Sequence, residues 1–225
     1  MAKIVKVEAR EILNSRAEPT VEAKILLDDG YYGISSAPSG ASISKFEAVE
    51  VRDGDITRFS GLGVTKAIQN ITSVIAPKLA GLDVSDQTKI DQILTELDDT
   101  PNKSKLGVNA ILPVSQATLV AAAATNRLPL WKYINQKFFP KISPKVPTPL
   151  FNIINGGKHG AANLDFQEFL IVPVSANPYE LNLQMGAEIY LALKKVLSTR
   201  REIYSVGDEG GFAPNLYTNA EAFEV

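Results

Sequence analysis

A proline-rich segment near the middle of the chain constrains the fold most, because it excludes a continuous helix or sheet there. Residues 137–150 contain four prolines, at positions 140, 144, 147 and 149. Proline lacks a backbone N–H and has a restricted φ, so a segment this dense in proline favours an extended connector. We therefore predict two domains, residues 1–138 and 139–225, in a chain of 225 residues.

The first domain begins with a pattern typical of antiparallel strands. Val5, Val7 and Ala9 alternate with charged residues and are predicted to face the core, and residues 21–27 form a second alternating run. An Asp-Gly pair at positions 29–30 indicates a hairpin, because glycine accepts the positive φ of a tight turn. The prediction is a small antiparallel meander.

Helical spacing follows the meander. Residues 64–75 and 90–97 each place hydrophobic residues on one face. Residues 106–127 are rich in alanine and predict a buried helix, which Pro113 is expected to kink or delay. A sheet followed by helices makes the first domain an α+β module.

Three short hydrophobic runs and one helical segment make up the second domain. The runs cover residues 150–154, 166–174 and 203–206, and residues 183–197 have helical spacing. The helix is predicted to bury Ala187, Tyr190, Leu193 and Val196. Polar residues at the strand ends indicate an α/β barrel or an open sheet, and about three strands are too few to close a barrel.

Composition and charge argue against several classes of function. The absence of cysteine excludes disulfides, thiolate chemistry and cysteine-ligated zinc, and it fits a reducing compartment. A net charge of −2 with no polybasic face gives no support to binding of nucleic acid or of an acidic membrane. The longest apolar stretch, residues 119–124, is too short to span a bilayer, so a soluble cytoplasmic protein is expected.

Glycines surround two acidic residues at positions 208 and 209. Gly207 and Gly210 leave room for a ligand to approach the backbone beside Asp208 and Glu209. A carboxyl group at the end of an apolar strand is partly removed from water, which favours its protonated form and allows general acid catalysis near neutral pH. The alternative to a catalytic acid is a glycine-rich turn whose acids face solvent. A calcium-binding loop is not supported, because it would need more oxygen ligands at a different spacing.

Another acidic residue, Glu168, lies within the predicted strand 166–174. Strand alternation places Glu168 on the face opposite Gln167 and Phe169. An acid in that position is costly unless it is paired or hydrated, so it is either a solvent-facing residue at a sheet edge or part of a site. If Glu168 lies close to Glu209, the two carboxyl groups cannot both ionise easily, as a proton-transferring pair requires.

Two further polar residues lie in glycine-rich segments. His159 is the single histidine, and taken alone it is more typical of a surface residue or a satisfied core residue than of a catalyst. A metal site with two histidines is excluded. Ser39 lies in a Ser-Gly-Ala-Ser loop, where its hydroxyl could reach a metal or a phosphate, although such a segment is usually only a loop.

Taken in order, these segments resemble the enolase family. The opening motif is Arg-Glu-Ile-Leu-Asn-Ser-Arg-Ala-Glu-Pro-Thr-Val-Glu, and the first active-site loop is Pro-Ser-Gly-Ala-Ser. The motifs that carry the resemblance cover essentially the whole chain, at residues 10–22, 38–42, 52–55, 102–107, 109–112, 152–157, 167–169, 185–188 and 207–214. The resemblance implies an α+β N-terminal domain followed by the first part of an α/β (TIM-like) enolase barrel.

The same resemblance implies a reaction and a set of site residues. Enolases dehydrate 2-phosphoglycerate to phosphoenolpyruvate in glycolysis, with a lysine as base and Mg²⁺ stabilising the enediolate. By resemblance Glu209 is the acid that protonates the departing hydroxyl, and Glu168 is its partner. Gln167, Glu168 and His159 contact the substrate, with His159 also in the catalytic set. Ser39 is the ligand of a second Mg²⁺ when its loop closes.

The family also implies a homodimer or higher homo-oligomer, in which Glu22 pairs across the interface. The chain departs from the family's usual Asp-Ser-Arg-Gly-Asn-Pro by having Asn14, Ala17 and Glu18. In the Ser39 loop, Ile-Ser at positions 43–44 replaces the usual Thr-Gly, and loss of that glycine is expected to stiffen the loop.

The leading hypothesis is the N-terminal part of an enolase, with the family's three metal-binding carboxylates and its base lysine expected beyond Val225. The 225 residues alone are therefore expected to show negligible turnover. The alternative is a non-catalytic, enolase-related module for binding or assembly. The altered Ser39 loop favours that module, whereas the presence of Glu168, Glu209 and His159 opposes it.

Overall fold

The computed structural model describes residues 2–40, 44–160, 164–173, 177–202, 205–207 and 209–225, and it does not describe the side chain of His159. Contacts within the chain divide it into two units, Met1–Ser143 and Pro144–Val225. The division falls inside the proline-rich segment 137–150.

A three-stranded antiparallel sheet opens the first unit, in the order β1 (Ile4–Leu13), β2 (Pro19–Leu27) and β3 (Tyr32–Ser36). This arrangement confirms the predicted meander. The hairpin between β2 and β3 turns at Gly30, whose φ of +87° lies in the region that favours glycine. The central strand supplies much of the core because every second side chain points inward, namely Val21, Ala23, Ile25 and Leu27.

One detail of β1 differs from the prediction. Val7 is buried and Ala9 is half-buried, as the alternation predicts, but Val5 is 54% exposed while Ile4 is buried. The pairing of β1 with β2 shifts register between Ile4 and Lys6. A bulge of this kind exchanges the faces of neighbouring side chains, so Ile4 enters the core in place of Val5.

Helices pack around this sheet and complete the first unit. The predicted run 64–75 is helical, but its geometry changes from α to π at Asn70. The predicted helix 90–97 is confirmed, and Asp86 caps its N-terminus by accepting a hydrogen bond from the Lys89 backbone N–H. The helices of this unit are α1 (Thr65–Gln69), a π-helical segment (Asn70–Ile75), α2 (Ala76–Leu79), α3 (Gln87–Asp98), α4 (Val108–Thr125) and α5 (Leu130–Phe138), after a short 3-10 turn (Phe59–Gly61).

Helix α4 is the central helix of this unit and packs against β3 and β2. It begins at Val108, two residues after the predicted start, and Pro113 lies buried within it without ending it. Within the described part of the chain, α4 is the one helix long and apolar enough to cross a bilayer. Half of its apolar window is buried inside the unit, as expected for a core helix.

The second unit contains a two-stranded sheet, one long helix and short connecting elements. The first two strands pair antiparallel, and the second is shorter than the predicted run 166–174. The predicted strand 203–206 falls partly outside the described residues, while Val206 forms an antiparallel bridge with Phe212. The elements are β4 (Phe151–Asn155), a 3-10 turn (Gly157–His159), β5 (Glu168–Ile171), α6 (Tyr179–Thr199) and α7 (Asn219–Glu224).

The buried face of α6 differs in part from the prediction. Leu193 is buried as expected, but Ala187 is exposed and its neighbour Gly186 is buried instead. A Cβ at Gly186 would lie 2.5 Å from the ring of Phe151, so α6 approaches β4 where it lacks a side chain. Hydrophobic spacing misplaces part of this face because the closest contact depends on a glycine.

The turn between β1 and β2 contains a residue whose replacement is expected to stabilise the protein. Ala17 has a φ of +58°, which costs an L-amino acid with a Cβ about 1–2 kcal/mol. Ala17→Gly is therefore expected to raise the free energy of unfolding by about 1 kcal/mol, after the entropy that glycine adds to the unfolded chain. Urea unfolding followed by circular dichroism measures this change.

The matched control is Ala192→Gly, at an exposed position in the interior of α6. Glycine in a helix interior costs about 0.5–1 kcal/mol relative to alanine, so this second substitution is expected to lower the stability. A lower stability for both variants would contradict the conformational explanation.

Candidate active site

The glycine-rich segment around Glu209 lies directly beside β4. Ile154 of β4 and Phe212 form a parallel bridge. The Asn155 N–H donates to the Phe212 carbonyl at 2.8 Å, and the Phe212 N–H donates to the Ile153 carbonyl at 2.9 Å. This backbone pairing fixes Phe212 against the strand that precedes His159.

A side-chain amide joins Glu209 to the same strand. The Asn152 Nδ2 donates to the Glu209 Oε2 at 3.3 Å and to the Asn155 Oδ1 at 2.7 Å. Glu209 is exposed, whereas Asn155 is only 1% exposed. The carboxylate of Glu209 is thus held at the surface by amides that extend into the unit.

The second candidate acid lies on the partner strand. Glu168 begins β5 and stands opposite Asn155 in the β4–β5 register. Glu168 is exposed and the adjacent Phe169 is buried, so the two face opposite sides as predicted. Gln167 precedes the strand, is also exposed, and accepts a hydrogen bond through its carbonyl from the Gly156 N–H at 2.8 Å.

The structure therefore associates both predicted acids with β4. Glu209 is attached through Asn152, and Glu168 is paired across from Asn155. An acid on an exposed face can exchange protons with a bound ligand and with water. That Glu168 and Glu209 act as a proton-transferring pair stays a prediction.

The remaining residue predicted for this unit is described only in part. His159 ends the 3-10 turn that follows β4, which places its backbone next to the strand. Its side chain and the whole of Asp208 lie outside the described residues, so their proposed roles stay predictions. The same holds for Ile43 in the Ser39 loop.

In the first unit, Ser39 is held by ionised side chains. Its hydroxyl donates to the Glu50 carboxylate at 3.0 Å, and the Arg52 Nη2 donates to the Ser39 Oγ at 3.0 Å. Arg52 and Glu50 also form an ion pair with each other. Arg16 donates from its Nη2 to the Ser39 carbonyl at 3.0 Å, so two guanidinium groups fix the position of this residue.

The unusual residues of the opening motif support the same arrangement. The Asn14 Nδ2 donates to the Glu18 Oε2 at 3.0 Å, and Arg16 donates to that oxygen at 2.9 Å. These bonds, from Asn14 and then Arg16, hold the pKa of Glu18 below its usual value. The amide and the acid have exchanged positions relative to Asp-Ser-Arg-Gly-Asn-Pro, and Arg16 keeps one carboxylate partner.

The described residues do not form a magnesium site. The described part of the chain holds no group of three or more His, Cys, Asp and Glu side chains placed to bind a metal ion. At Ser39 the guanidinium of Arg52 contacts the Oγ directly, and a fixed cation there opposes the approach of Mg²⁺.

Glu22, predicted to pair across a dimer interface, has a partner within its own sheet. The Arg10 Nε donates to the Glu22 Oε1 at 2.6 Å, between adjacent strands. A groove of about 670 Å³ lies over this charged face of β1 and β2. The dimer role of Glu22 stays a prediction.

Comparison with known families decides what this chain is related to. The family model described as "Enolase, N-terminal domain" matches residues 4–134, more than half of the chain. The model described as "Enolase, C-terminal TIM barrel domain" matches residues 143–225. The chain belongs to the enolase family. Membership confirms the predicted fold class, an α+β enolase N-terminal domain followed by part of an enolase TIM barrel domain, and it implies membership of a family of lyases.

Sequence reasoning missed Asn152, which bonds to Glu209 in the second unit. It also missed Glu50 and Arg52, which bond to Ser39 in the first unit. All three lie in the motifs or next to the loop that carried the resemblance, but none was singled out. A local signal existed for Asn152, because an amide at the start of an apolar strand needs polar partners. Its partner Glu209 is 57 residues away, so the sequence alone could not identify it.

Proposed function

We propose that this chain supplies the N-terminal part of an enolase that dehydrates 2-phosphoglycerate to phosphoenolpyruvate in glycolysis. Family membership supports the proposal, and the observation that carries it is the attachment of Glu209 to β4 through Asn152, with Glu168 opposite Asn155. Two acids on adjoining elements, next to glycines that leave space for a ligand, suit proton transfer to a small anionic substrate.

Loss of the hydroxyl from 2-phosphoglycerate requires a proton on the departing oxygen. Glu209 donates that proton, and Glu168 assists as the second carboxyl group. Gln167 and His159 contact the substrate. Removal of the proton next to the substrate carboxylate requires a base, and the proposal assigns that role to no residue among these 225.

Three finer parts of the proposal rest on the family alone. They are the use of Mg²⁺ by the complete enzyme, with Ser39 as one ligand, a homo-oligomeric state involving Glu22, and a cytoplasmic location. Ser39 could bind a metal only after Arg52 and Glu50 move, because both side chains are hydrogen-bonded to its hydroxyl.

A second candidate function is a non-catalytic, enolase-related module for binding or assembly. The observation that favours it is the occupation of the Ser39 hydroxyl by Glu50 and Arg52. A Ser39 hydroxyl that is already bonded to these two side chains stabilises its loop and does not bind a metal. Turnover distinguishes this module from the enzyme.

The test is an assay of the full-length product of the gene that encodes these residues, whether it ends at Val225 or continues. Formation of phosphoenolpyruvate from 2-phosphoglycerate is followed by its ultraviolet absorbance, with MgCl₂ and then with an excess of chelator. Chelator-sensitive turnover is expected from a product that continues, and negligible turnover from residues 1–225 alone. A continuing, folded product without activity would refute the enzyme and favour the module.

A further inference from the structure

We propose that Asn152 is a positioning residue for Glu209, a role that rests on the proposed function. The Asn152 side chain is half-buried on β4, and its Nδ2 donates to the Glu209 Oε2. Glu209 itself is exposed and stands next to Gly210, whose φ is +89°. Without an anchor, an acid in such a segment samples several orientations.

The orientation of the Asn152 amide follows from its partners. An asparagine side chain offers two N–H donors on one nitrogen. The Glu209 carboxylate and the Asn155 Oδ1 both act as acceptors for that nitrogen, at 3.3 and 2.7 Å. Rotating the amide by 180° would place its oxygen against both acceptors, so this orientation is the one that satisfies the pair.

Gly211 makes room for this amide pair. A Cβ at position 211 would lie 2.3 Å from the Asn155 Oδ1 and 2.9 Å from the Asn152 Oδ1. The Asn152 Oδ1 is itself buried and has no hydrogen-bond partner within the described ranges. A buried oxygen left unpaired costs about 1–3 kcal/mol, so the side chain holds this position for its donors.

A donor fixed in this way determines where the Glu209 carboxyl group points. The Asn152 Nδ2 bonds to one oxygen of this group, Oε2, and a directional bond of this kind restricts the carboxyl group to one orientation. Misplacement of a catalytic group by about 1 Å can lower a rate about 10²-fold. Loss of the Asn152 donor is therefore expected to reduce kcat by about 10- to 100-fold with little change in KM.

The hydrogen bond is tested first in the 225-residue chain, without any assay of activity. In the ¹⁵N–¹H spectrum, Glu209→Ala is expected to shift the side-chain amide signals of Asn152, because their acceptor is removed. Glu209→Gln keeps an acceptor oxygen and is expected to shift them less. Glu180→Ala, at an exposed acid in the first turn of α6, is the matched control and is expected to leave them unchanged. If the side-chain amide signals of Asn152 do not shift in Glu209→Ala, the proposal is overturned.

The positioning role is then tested in the full-length gene product. In D₂O, exchange of the substrate C2 hydrogen requires only the base, whereas dehydration also requires an acid at the hydroxyl. Asn152→Leu, of similar volume, is expected to lower dehydration about 10- to 100-fold while exchange continues. Gln184→Ala, at an exposed amide of α6, is the control and is expected to affect neither.

Each outcome of the second test is decisive. Equal losses of exchange and dehydration in Asn152→Leu would indicate a structural role for Asn152 and overturn the proposal. A second variant, Asn152→Asp, tests whether the loss comes from the packing of leucine. Asn152→Asp keeps the shape but lacks the donor, so it is expected to reproduce the selective loss. A native protein with neither reaction would refute the proposed function and the catalytic role together, while the spectrum would still establish or reject the hydrogen bond.

Discussion

Replacing Gly33 with alanine is expected to destabilise the first unit by about 3 kcal/mol, the upper part of the range for overpacked cores. β3 packs against α4, and a Cβ at Gly33 would lie 2.1 Å from the Ala117 carbonyl oxygen and 2.3 Å from the Ala121 nitrogen. Both are backbone atoms and cannot rotate away. The sheet and the helix must separate to admit one methyl group.

The measurement is urea unfolding followed by circular dichroism and by the fluorescence of Trp131. Trp131 is the single tryptophan, and it lies in α5 of the first unit, so its fluorescence reports on that unit. Gly30→Ala is the matched control in the same hairpin. No described heavy atom lies within 4 Å of a Cβ there, and its φ of +87° is expected to cost about 1–2 kcal/mol. A smaller loss of unfolding free energy for Gly33→Ala than for Gly30→Ala would contradict the steric argument.

The contact at Gly33 illustrates how far the sequence predicts this fold. Alternation in the strands and alanine-rich helical spacing predicted the meander and α4, because both patterns are local. Gly33 faces Ala117 and Ala121, which lie 84 and 88 positions further along the chain. Hydrophobic periodicity carries no information about contacts at that separation. The bulge that exposes Val5 and the glycine contact that buries Gly186 have the same cause, because each is set by the neighbouring element.

The candidate site was predictable to a similar extent. Glycines and strand ends selected Glu168 and Glu209, since these are features of the acids' own segments. The residue that attaches Glu209, Asn152, could not be found in this way, because its role depends on the pairing of Ile154 with Phe212. Sequence thus identifies groups able to perform chemistry, whereas the groups that orient them become visible only when distant segments are paired.

Replacing Glu209 with glutamine is expected to lower the kcat for dehydration of 2-phosphoglycerate about 10³-fold in the full-length gene product, since general acids contribute about 10²–10⁴-fold. Glutamine has nearly the same size and keeps an oxygen that accepts from the Asn152 Nδ2, so the segment is expected to retain its position. It cannot release a proton to the departing hydroxyl. KM is therefore expected to change little, because binding and positioning are preserved while the proton is lost.

The control is Glu180→Gln, which changes the net charge equally at an exposed position in the first turn of α6 and is expected to leave kcat unchanged. Comparison with Asn152→Leu separates two contributions, because that variant keeps the transferable proton and loses the group that orients it. The loss for Glu209→Gln should exceed the loss for Asn152→Leu, since a misplaced acid still donates occasionally and an amide does not. Equal activity of Glu209→Gln and the native protein would remove Glu209 from the reaction and transfer the acid role to another group.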